Sequence, residues 1–264
     1  MRYTKYSFRD LEAQDAYMWD GAEFDLLLNE IIPNRSITPL FSKYLHPGAK
    51  ILEGGCGNGA WVQYLNNQGY DCIGTDINEV ILNVAEEKNL NIKKDDILNM
   101  SFSDNTFDAY LSLGVIEHWQ EGPSIAIQEA YRVIKPGGYF LVSTPCNHLI
   151  RKLFNHPLRD IVNIFYKILG KKLHFVEYRF ERHELKQFVI DGGFDIIETL
   201  PNDYRMDSNK YSLGMYTDWP WLRYRKEKYK LNILGQCIKA ILKLFNPWWV
   251  VSGMMVVAQK PLSR

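Results

Sequence analysis

The sharpest chemical signal in the chain is the run Glu53-Gly54-Gly55-Cys56-Gly57-Asn58-Gly59. It stands where a short apolar stretch, KILEGG, gives way to the helical pattern AWVQYLNNQG. Glycine tolerates positive φ and lets a ligand approach the backbone closely. The start of a helix adds unpaired N–H groups. Two ligand chemistries fit. Gly55-x-Gly57-x-x-Ala60, followed by Asp76, matches a dinucleotide fingerprint with the acid on a ribose. The same residues also read as acid-x-Gly-x-Gly-x-Gly from Glu53. A carboxylate beside the loop opposes a pyrophosphate and suits a cation. Asp76 in GTDIN and Asp96 in DDILN close the next two strands, so acids punctuate three successive strand ends.

S-adenosylmethionine (SAM) carries a sulfonium and an ammonium but no phosphate, and suits that acid pattern. Asp76 is placed to accept both ribose hydroxyls. Asp96 is placed to accept the adenine amino group, with Ile77 and Ile97 flanking the ring. Methyl transfer is an in-line displacement, for which alignment does much of the work. A base is needed only when the acceptor must lose a proton. His118, in Glu117-His118-Trp119 after the fourth strand, is the first candidate, because an imidazole exchanges protons near neutrality. Its other reading is a contact to the cofactor carboxylate or to neighbouring backbone. His174 is the second-choice base or a lid anchor, with Glu177, Tyr178 and Arg179 beside it at the mouth of the site. His46, His148, His156 and His183 carry no pattern and read as surface residues. Tyr17 and Trp19 could cover a sulfonium through a cation–π contact or staple a helix to the sheet.

The elements that must position these residues alternate strand and helix from residue 50 to 144. The strands read KILEGG, YDCIGTD, NIKKDD, FDAYLSLG and GGYFLVSTP. Between them, NEVILNVAEEKN has an Asn78 cap and SIAIQEAYRVI is amphipathic. This alternation implies a parallel sheet covered on both faces. Right-handed crossovers favour a doubly wound, Rossmann-like α/β fold. Later, ERHELKQFVIDGGF reads as a helix, with DIIETLP and SGMMVVAQK as two last strands. Residues 1–264 read as a single domain, with 1–45 as an N-terminal helical cap. Residues 147–175 and 203–250 read as lid insertions that shape the substrate site. The first carries Leu153, Phe154, Leu158, Ile161, Phe165 and Ile168 at helical spacing. The second carries Leu231, Leu234, Ile238, Ile241, Leu242 and Phe245 on one helical face. Trp219, Trp221, Tyr224, Trp248 and Trp249 flank that second, Lys-rich helix. The favoured reading is a lid helix that buries its apolar face on the domain. A lipid interface and a greasy tunnel for an isoprenoid-like acceptor are the alternatives.

Taken together, ILEGGCGNGAW, GTDIN, DDILNMSFSDNTFDAYLSLGVIEHW and RVIKPGGYFLVSTP resemble the class I SAM-dependent methyltransferases, of the methyltransferase type 11/12 kind. The likeness runs from about residue 45 to 200 and recurs at the final strand. It implies a seven-stranded sheet of order 3-2-1-4-5-7-6, with the last strand antiparallel. It implies SAM as cofactor, with its methionine part wrapped by Glu53, Gly54, Gly55, Cys56, Gly57 and Gly59. Asp76 would then hold the ribose, Asp96 with Ile97 the adenine, whose other face Ile77 flanks, and Ser112 to Val115, with Leu113 and Gly114 among them, the methyl end. Asp95-Asp96 leaves a one-residue ambiguity over the adenine acid. In some related O-methyltransferases acids and a His at this place resemble a metal site; the match here is partial, and no metal is expected.

Composition bounds the rest. The chain has 264 residues, 46% hydrophobic and 23% charged, as in globular proteins. No apolar run reaches the ~20 residues of a membrane span. The N-terminus lacks an apolar signal core, and the four cysteines form no C-x-x-C pair, so a reducing cytoplasm is the expected location. The net charge of zero hides an asymmetry. Residues 1–150 hold 11 Lys and Arg against 20 Asp and Glu, a balance of −9; residues 151–264 hold 20 against 11, a balance of +9. The expected activity is methyl transfer to a small-molecule, lipid-linked or glycan acceptor, at oxygen. The stretch RYRKEKYK permits nucleic acid, although the zero net charge argues against it. An RNA or protein methyltransferase is the alternative enzyme, an NAD-dependent oxidoreductase a different class, and a SAM-binding module the non-catalytic reading. A peripheral membrane contact is a further partner this composition admits.

Overall fold

The computed structural model describes residues 2–8 and 23–262. A first strand, β1 (Tyr3–Ser7), stands apart from the main sheet. The main sheet contains β2 (Lys50–Gly54), β3 (Asp71–Asp76), β4 (Ile92–Lys94), β5 (Phe107–Leu113) and β6 (Ile134–Pro145). After β7 (His174–Arg179), which pairs with β1, it is completed by β8 (Asp195–Asn202) and β9 (Gly253–Gln259). Its spatial order is β4-β3-β2-β5-β6-β9-β8. Counting only main-sheet strands along the chain, this is 3-2-1-4-5-7-6. The strands from β2 to β6 pair in parallel, and β9 runs antiparallel to both β6 and β8. The expected Rossmann-like architecture is therefore present.

Burial of β2 on both faces explains why Ile51 and Leu52, which point to opposite sides, are both apolar. Ile51 points into one core and Leu52 into the other, and both are fully buried. On the Ile51 side lies α2 (Ala60–Asn67), through Val62 and Leu65. On the Leu52 side lies α4 (Ser124–Val133), through Ala126, Ile127, Ala130 and Val133, after α1 (Pro39–Tyr44) and α3 (Glu79–Glu87) have been passed along the chain. The α3 cap is the expected one: Asn78 Oδ1 accepts from the Val80 N–H at 2.9 Å.

Three expectations are corrected. Within 1–45, read as a helical cap, Tyr3–Ser7 is a strand that pairs antiparallel with β7, Tyr3 opposite Arg179. The local sequence YTKYS has no period to reveal this, because its partner is far along the chain. His148 and His156 are buried, not on the surface, while His46 and His183 are exposed. Burial, then the neighbouring Arg151, holds the His148 imidazole down at about 2; burial, then Arg179, holds His156 at about 3. Both are neutral at physiological pH.

The third correction concerns the insertions. The first forms a π-helical turn, Arg151–Asn155, that runs directly into α5 (His156–Ile168). The second holds α7 (Leu213–Asp218) and α8 (Ile233–Phe245), following α6 (Arg182–Asp191). The second insertion buries its apolar stripe only in part, against the favoured lid reading, and the stripe of the first lies outside. Leu158, Ile161 and Phe165 are 59–65% exposed, and Leu244 and Phe245 are 86% and 75% exposed. Of the second stripe, Leu231 is buried and Ile238 and Leu242 pack inward, but Leu234 and Ile241 lie outside. Polar groups hold α5, and Lys239 and Lys243 share the holding of α8 with Ile238 and Leu242. A chain of buried charges links β1, β7, α7 and the head of α5. Lys5 Nζ lies 3.0 Å from Glu177, Arg179 bridges Glu177 at 3.1 Å and Asp218 at 3.4 Å, and Arg151 Nε meets Asp218 at 2.6 Å. Glu177, Tyr178 and Arg179, expected at the mouth, are thus buried structural members of β7.

Candidate active site

The glycine loop leaves β2 at its carboxyl end and enters α2. Gly55, Gly57 and Gly59 all take left-handed φ, at 67°, 55° and 74°. Space is as restrictive as φ. A Cβ on Gly54 would lie 1.9 Å from the Tyr110 hydroxyl, and one on Gly55 would lie 2.5 Å from Val115. The loop is anchored on the next strand: the N–H groups of Gly55 and Cys56 both donate to the Thr75 carbonyl, at 2.8 and 3.0 Å. Cys56 is buried, and burial, with Glu53 adding, pushes its thiol well up, so it is neutral packing rather than a nucleophile.

Glu53, on β2, is 3% exposed, and its Oε2 is buried with no hydrogen-bond partner. An ionised carboxylate in such a place is costly unless a cation or donor meets it. Burial, then the charge of Asp76, accordingly pushes the Glu53 carboxyl well above the ordinary carboxylate range. Asp76 closes β3 and ties the acids to the loop. Its Oδ2 accepts from the Gly57 N–H at 3.1 Å, and its Oδ1 from the Asn78 N–H at 3.0 Å.

The structure separates the two acids after β4. Asp95 is occupied by the turn, accepting from the Ser101 N–H at 3.0 Å and the Ser101 hydroxyl at 2.8 Å. Asp96 is exposed and accepts from the Leu98 N–H at 2.9 Å. Ile77 is 58% exposed beside the β3 end, whereas Ile97 is buried, its methyl 3.1 Å from where a Gly54 Cβ would stand. Leu113 ends β5, and Gly114 follows with φ 81° and its N–H on the Ser143 carbonyl at 2.9 Å. Glu53, the glycines, Asp76, Asp96, Leu113 and Gly114 thus gather along the carboxyl ends of four neighbouring parallel strands.

His118 sits in the turn Ile116–His118 after β5, with Nδ1 2.8 Å from the Val176 carbonyl on β7. A carbonyl only accepts, so Nδ1 carries the proton and Nε2 carries the lone pair of the neutral ring. His174 begins β7, paired with Ser7. Tyr17 and Trp19 lie outside the described residues. One functional candidate escapes a reading of the sequence alone. Glu117 is 1% exposed, its Oε2 has no partner, and its Oε1 would lie 3.6 Å from a Cβ on Gly114. Burial pushes its carboxyl, behind the β5 end, well above the ordinary carboxylate range. The available signal is an acid next to the candidate base, immediately after an apolar strand. A cavity of about 490 Å³ opens elsewhere, lined by Lys152, Arg182, Lys186, Trp248 and Trp249 among others; its lining does not include the glycine loop. Among the described residues, no group of three His, Cys, Asp or Glu is arranged to hold a metal ion.

Residues 52–142 match the family described as Methyltransferase domain. The chain is 31% identical over 105 residues to the tRNA (carboxymethyluridine(34)-5-O)-methyltransferase of Arabidopsis thaliana, which is 39% of this chain and 26% of that protein. It therefore spans only about a quarter of that relative's length. It is 29% identical over 175 residues to the demethylmenaquinone methyltransferase of Staphylococcus carnosus, 60% of this chain and 72% of the relative. A solved SAM-dependent methyltransferase from Methanosarcina mazei superposes with a TM-score of 0.58 at 21% identity, over 85% of this chain and 98% of that one, a likeness of fold.

Proposed function

We infer that this chain, which carries a class I SAM-dependent methyltransferase domain, moves a methyl group from SAM to a small-molecule, lipid-linked or glycan acceptor, at oxygen. The observation that carries the cofactor is the buried Glu53 oxygen without a partner, under a loop whose glycines leave no room for side chains. A cation fits that place and a pyrophosphate does not. Glu53 with Gly54, Gly55, Cys56, Gly57 and Gly59 would hold the methionine part. Asp76 would accept from the ribose hydroxyls while its two backbone bonds fix its rotamer. Ile77 offers an exposed apolar face to the adenine. Asp96 is the acid left open to the amino group, since Asp95 is engaged by Ser101. Ile97 supports the cradle from beneath through Gly54. Leu113 and Gly114 would line the methyl end.

Bound SAM supplies an electrophilic methyl on a good leaving group. The chain's part is then to align the acceptor oxygen and, for a hydroxyl, to take its proton. His118 is suited to taking that proton, since the Val176 carbonyl fixes the Nδ1–H tautomer and leaves Nε2 as the basic atom. His174 stands second, two residues from that carbonyl on the same strand. The exposed apolar helices beside the domain favour a lipid-like acceptor over a strongly polar one. The basic stretch 223–230, together with the tRNA-modifying relative, supports transfer to RNA as the second reading. Calorimetric titration with SAM and with NAD tests the cofactor: binding of NAD without SAM overturns the proposal. Radiolabelled methyl from SAM, offered with lipid extract and with tRNA in parallel, tests the acceptor. Label confined to tRNA replaces the first reading by the second.

A further inference from the structure

Helix α5 is amphipathic in the reverse of the usual sense, and α8, which packs Ile238 and Leu242 inward, still leaves a second apolar face outside. In α5, the residues turned toward the body are His156, Arg159, Asn163 and Tyr166, spaced three or four apart on one face. Tyr3 stacks on His156 with ring centroids 3.6 Å apart and donates its hydroxyl to Asp160 at 2.6 Å; Phe8 stacks on Tyr166 at 3.9 Å. The outward arc carries Leu158, Ile161, Val162, Phe165 and Ile168, all exposed among the described residues. In α8, Lys239 is fully buried and its Nζ donates to the carbonyls of Ser208, at 2.7 Å, and Tyr211; Lys243 donates to the Met206 carbonyl at 2.9 Å. Its outward face carries Ile233, Leu234, Ile241, Leu244 and Phe245. The two helices adjoin: Asn155 at the head of α5 and Leu242 with Trp249 at the tail of α8 line one small cleft, and the Trp219 indole donates to Asn155 at 2.9 Å.

Soluble surfaces do not ordinarily leave two adjoining helices with their apolar faces outward. Charge identifies what covers them. Residues 151–172 hold six basic residues against the single acid Asp160. Arg151 among these is buried on Asp218 and Lys152 pairs with Glu181 at 2.6 Å, while Lys167, Lys171 and Lys172 are exposed around the α5 face. The 490 Å³ cavity near the junction of the helices adds Arg182 and Lys186. An apolar face rimmed by cations suits acyl chains beneath anionic headgroups. We propose that α5 and α8 dock this protein on the surface of a bilayer containing anionic phospholipid. This goes beyond the choice of methyl acceptor and stands whether or not that acceptor is itself a lipid.

Sedimentation with vesicles tests it, using the full chain. The protein is expected to sediment with vesicles of phosphatidylcholine mixed with phosphatidylglycerol, far less with phosphatidylcholine alone, and to be released as salt is raised. The double substitution I161E/F165E is expected to lower partitioning about tenfold or more while leaving thermal melting unchanged, because both positions are exposed; L244E on α8 is expected to act in the same direction. No sedimentation with the mixed vesicles overturns the proposal. So does sedimentation that I161E/F165E leaves unaltered. A dimer in light scattering that I161E/F165E dissociates, without vesicle binding, also overturns it and assigns the face to a second copy. None of these readouts depends on methyl transfer, so their failure is distinct from failure of the proposed activity.

Discussion

Helix α4 and helix α5 have comparable apolar periodicity, yet they face opposite ways. In α4, Ala126, Ile127, Ala130 and Val133 are buried against the sheet, and Ser124 and Gln128 lie outside with a single apolar neighbour, Ile125. In α5 the polar residues hold the body and the apolar ones lie outside. The difference teaches that a 3.6-residue stripe specifies a helix and an apolar side, but not what that side meets. For α4 the crossover between β5 and β6 leaves one place for the stripe. For α5 the deciding contacts are Tyr3 on His156 and Arg151 on Asp218, made by residues remote in sequence.

The largest effect should come from breaking the inward side. Ile127 is fully buried, and its methyl lies 2.4 Å from where a Cβ on Gly192 would stand, so α4 and α6 close on each other there. Ile127→Asp buries an unpaired carboxylate and is expected to cost about 4 kcal/mol or more in urea unfolding. A cost under ~1.5 kcal/mol would mean that the α4 stripe can turn outward as the α5 stripe does.

Next comes the polar anchor that lets α5 face outward. Burial pushes the Asp218 carboxyl up, but Arg151 and then Arg179 outweigh it and hold the group at about 2; Glu177 is likewise held at about 2 by Lys5 and Arg179 against its burial. Both folded values lie below the unfolded ones. Their contribution is therefore fully present above the ordinary carboxylate range near 4 and is lost as pH falls from there through about 2. Asp218→Asn leaves Arg151 buried without its counter-charge and should cost roughly 3 kcal/mol at neutral pH. It should also make the acid limb of the stability profile shallower. An unchanged limb in chemical denaturation at pH 5 and pH 3, taken as about the two ends of that range, would detach the charge chain from the fold's acid sensitivity.

The candidate site contrasts with the two insertions in how much of it was legible. Glu53, Asp76 and Asp96, with the glycines between, announce themselves because each stands at a strand end, where local pattern and chemistry coincide. The same alternation predicts a parallel, doubly wound sheet, whereas its strand order comes from the resemblance to the methyltransferases. What was hidden depends on contacts across the chain: the β1–β7 pair, the burial of His148 and His156, and the outward faces of α5 and α8. Even within the site, the Asp95 side chain is taken up by Ser101 six residues on, a turn that the doubled acid alone did not reveal.

Two predictions sharpen that contrast at the site. Asp76→Ala should weaken SAM binding by roughly 1.5–3 kcal/mol, the range for hydrogen bonds to a charged group, with stability little altered. An unchanged dissociation constant would remove Asp76 from the cradle. Glu53 adds a pH dependence. Its carboxyl is raised by burial and by Asp76, so without a cation it holds its proton to higher pH than an ordinary acid. A cationic ligand favours the ionised form, and that proton must leave on binding. SAM affinity should therefore rise with pH across the range where free Glu53 is still protonated, by up to about tenfold per pH unit, and Glu53→Gln should flatten the slope. Titrations that show the same slope in both proteins would place the proton release elsewhere.

The smallest effect belongs to the outward side. Ile161 is 64% exposed on α5, so Ile161→Asp removes little packing and creates no buried charge. Its expected effect on unfolding in water is within about 0.5 kcal/mol, against the several expected for the same kind of change at Ile127. The pair of measurements isolates orientation, since both replace isoleucine by aspartate on an amphipathic helix. A cost at Ile161 approaching that at Ile127 would mean that the α5 face is covered in solution by protein. With no such cost, the face is free for the bilayer, and the stripe that reads like core is a surface.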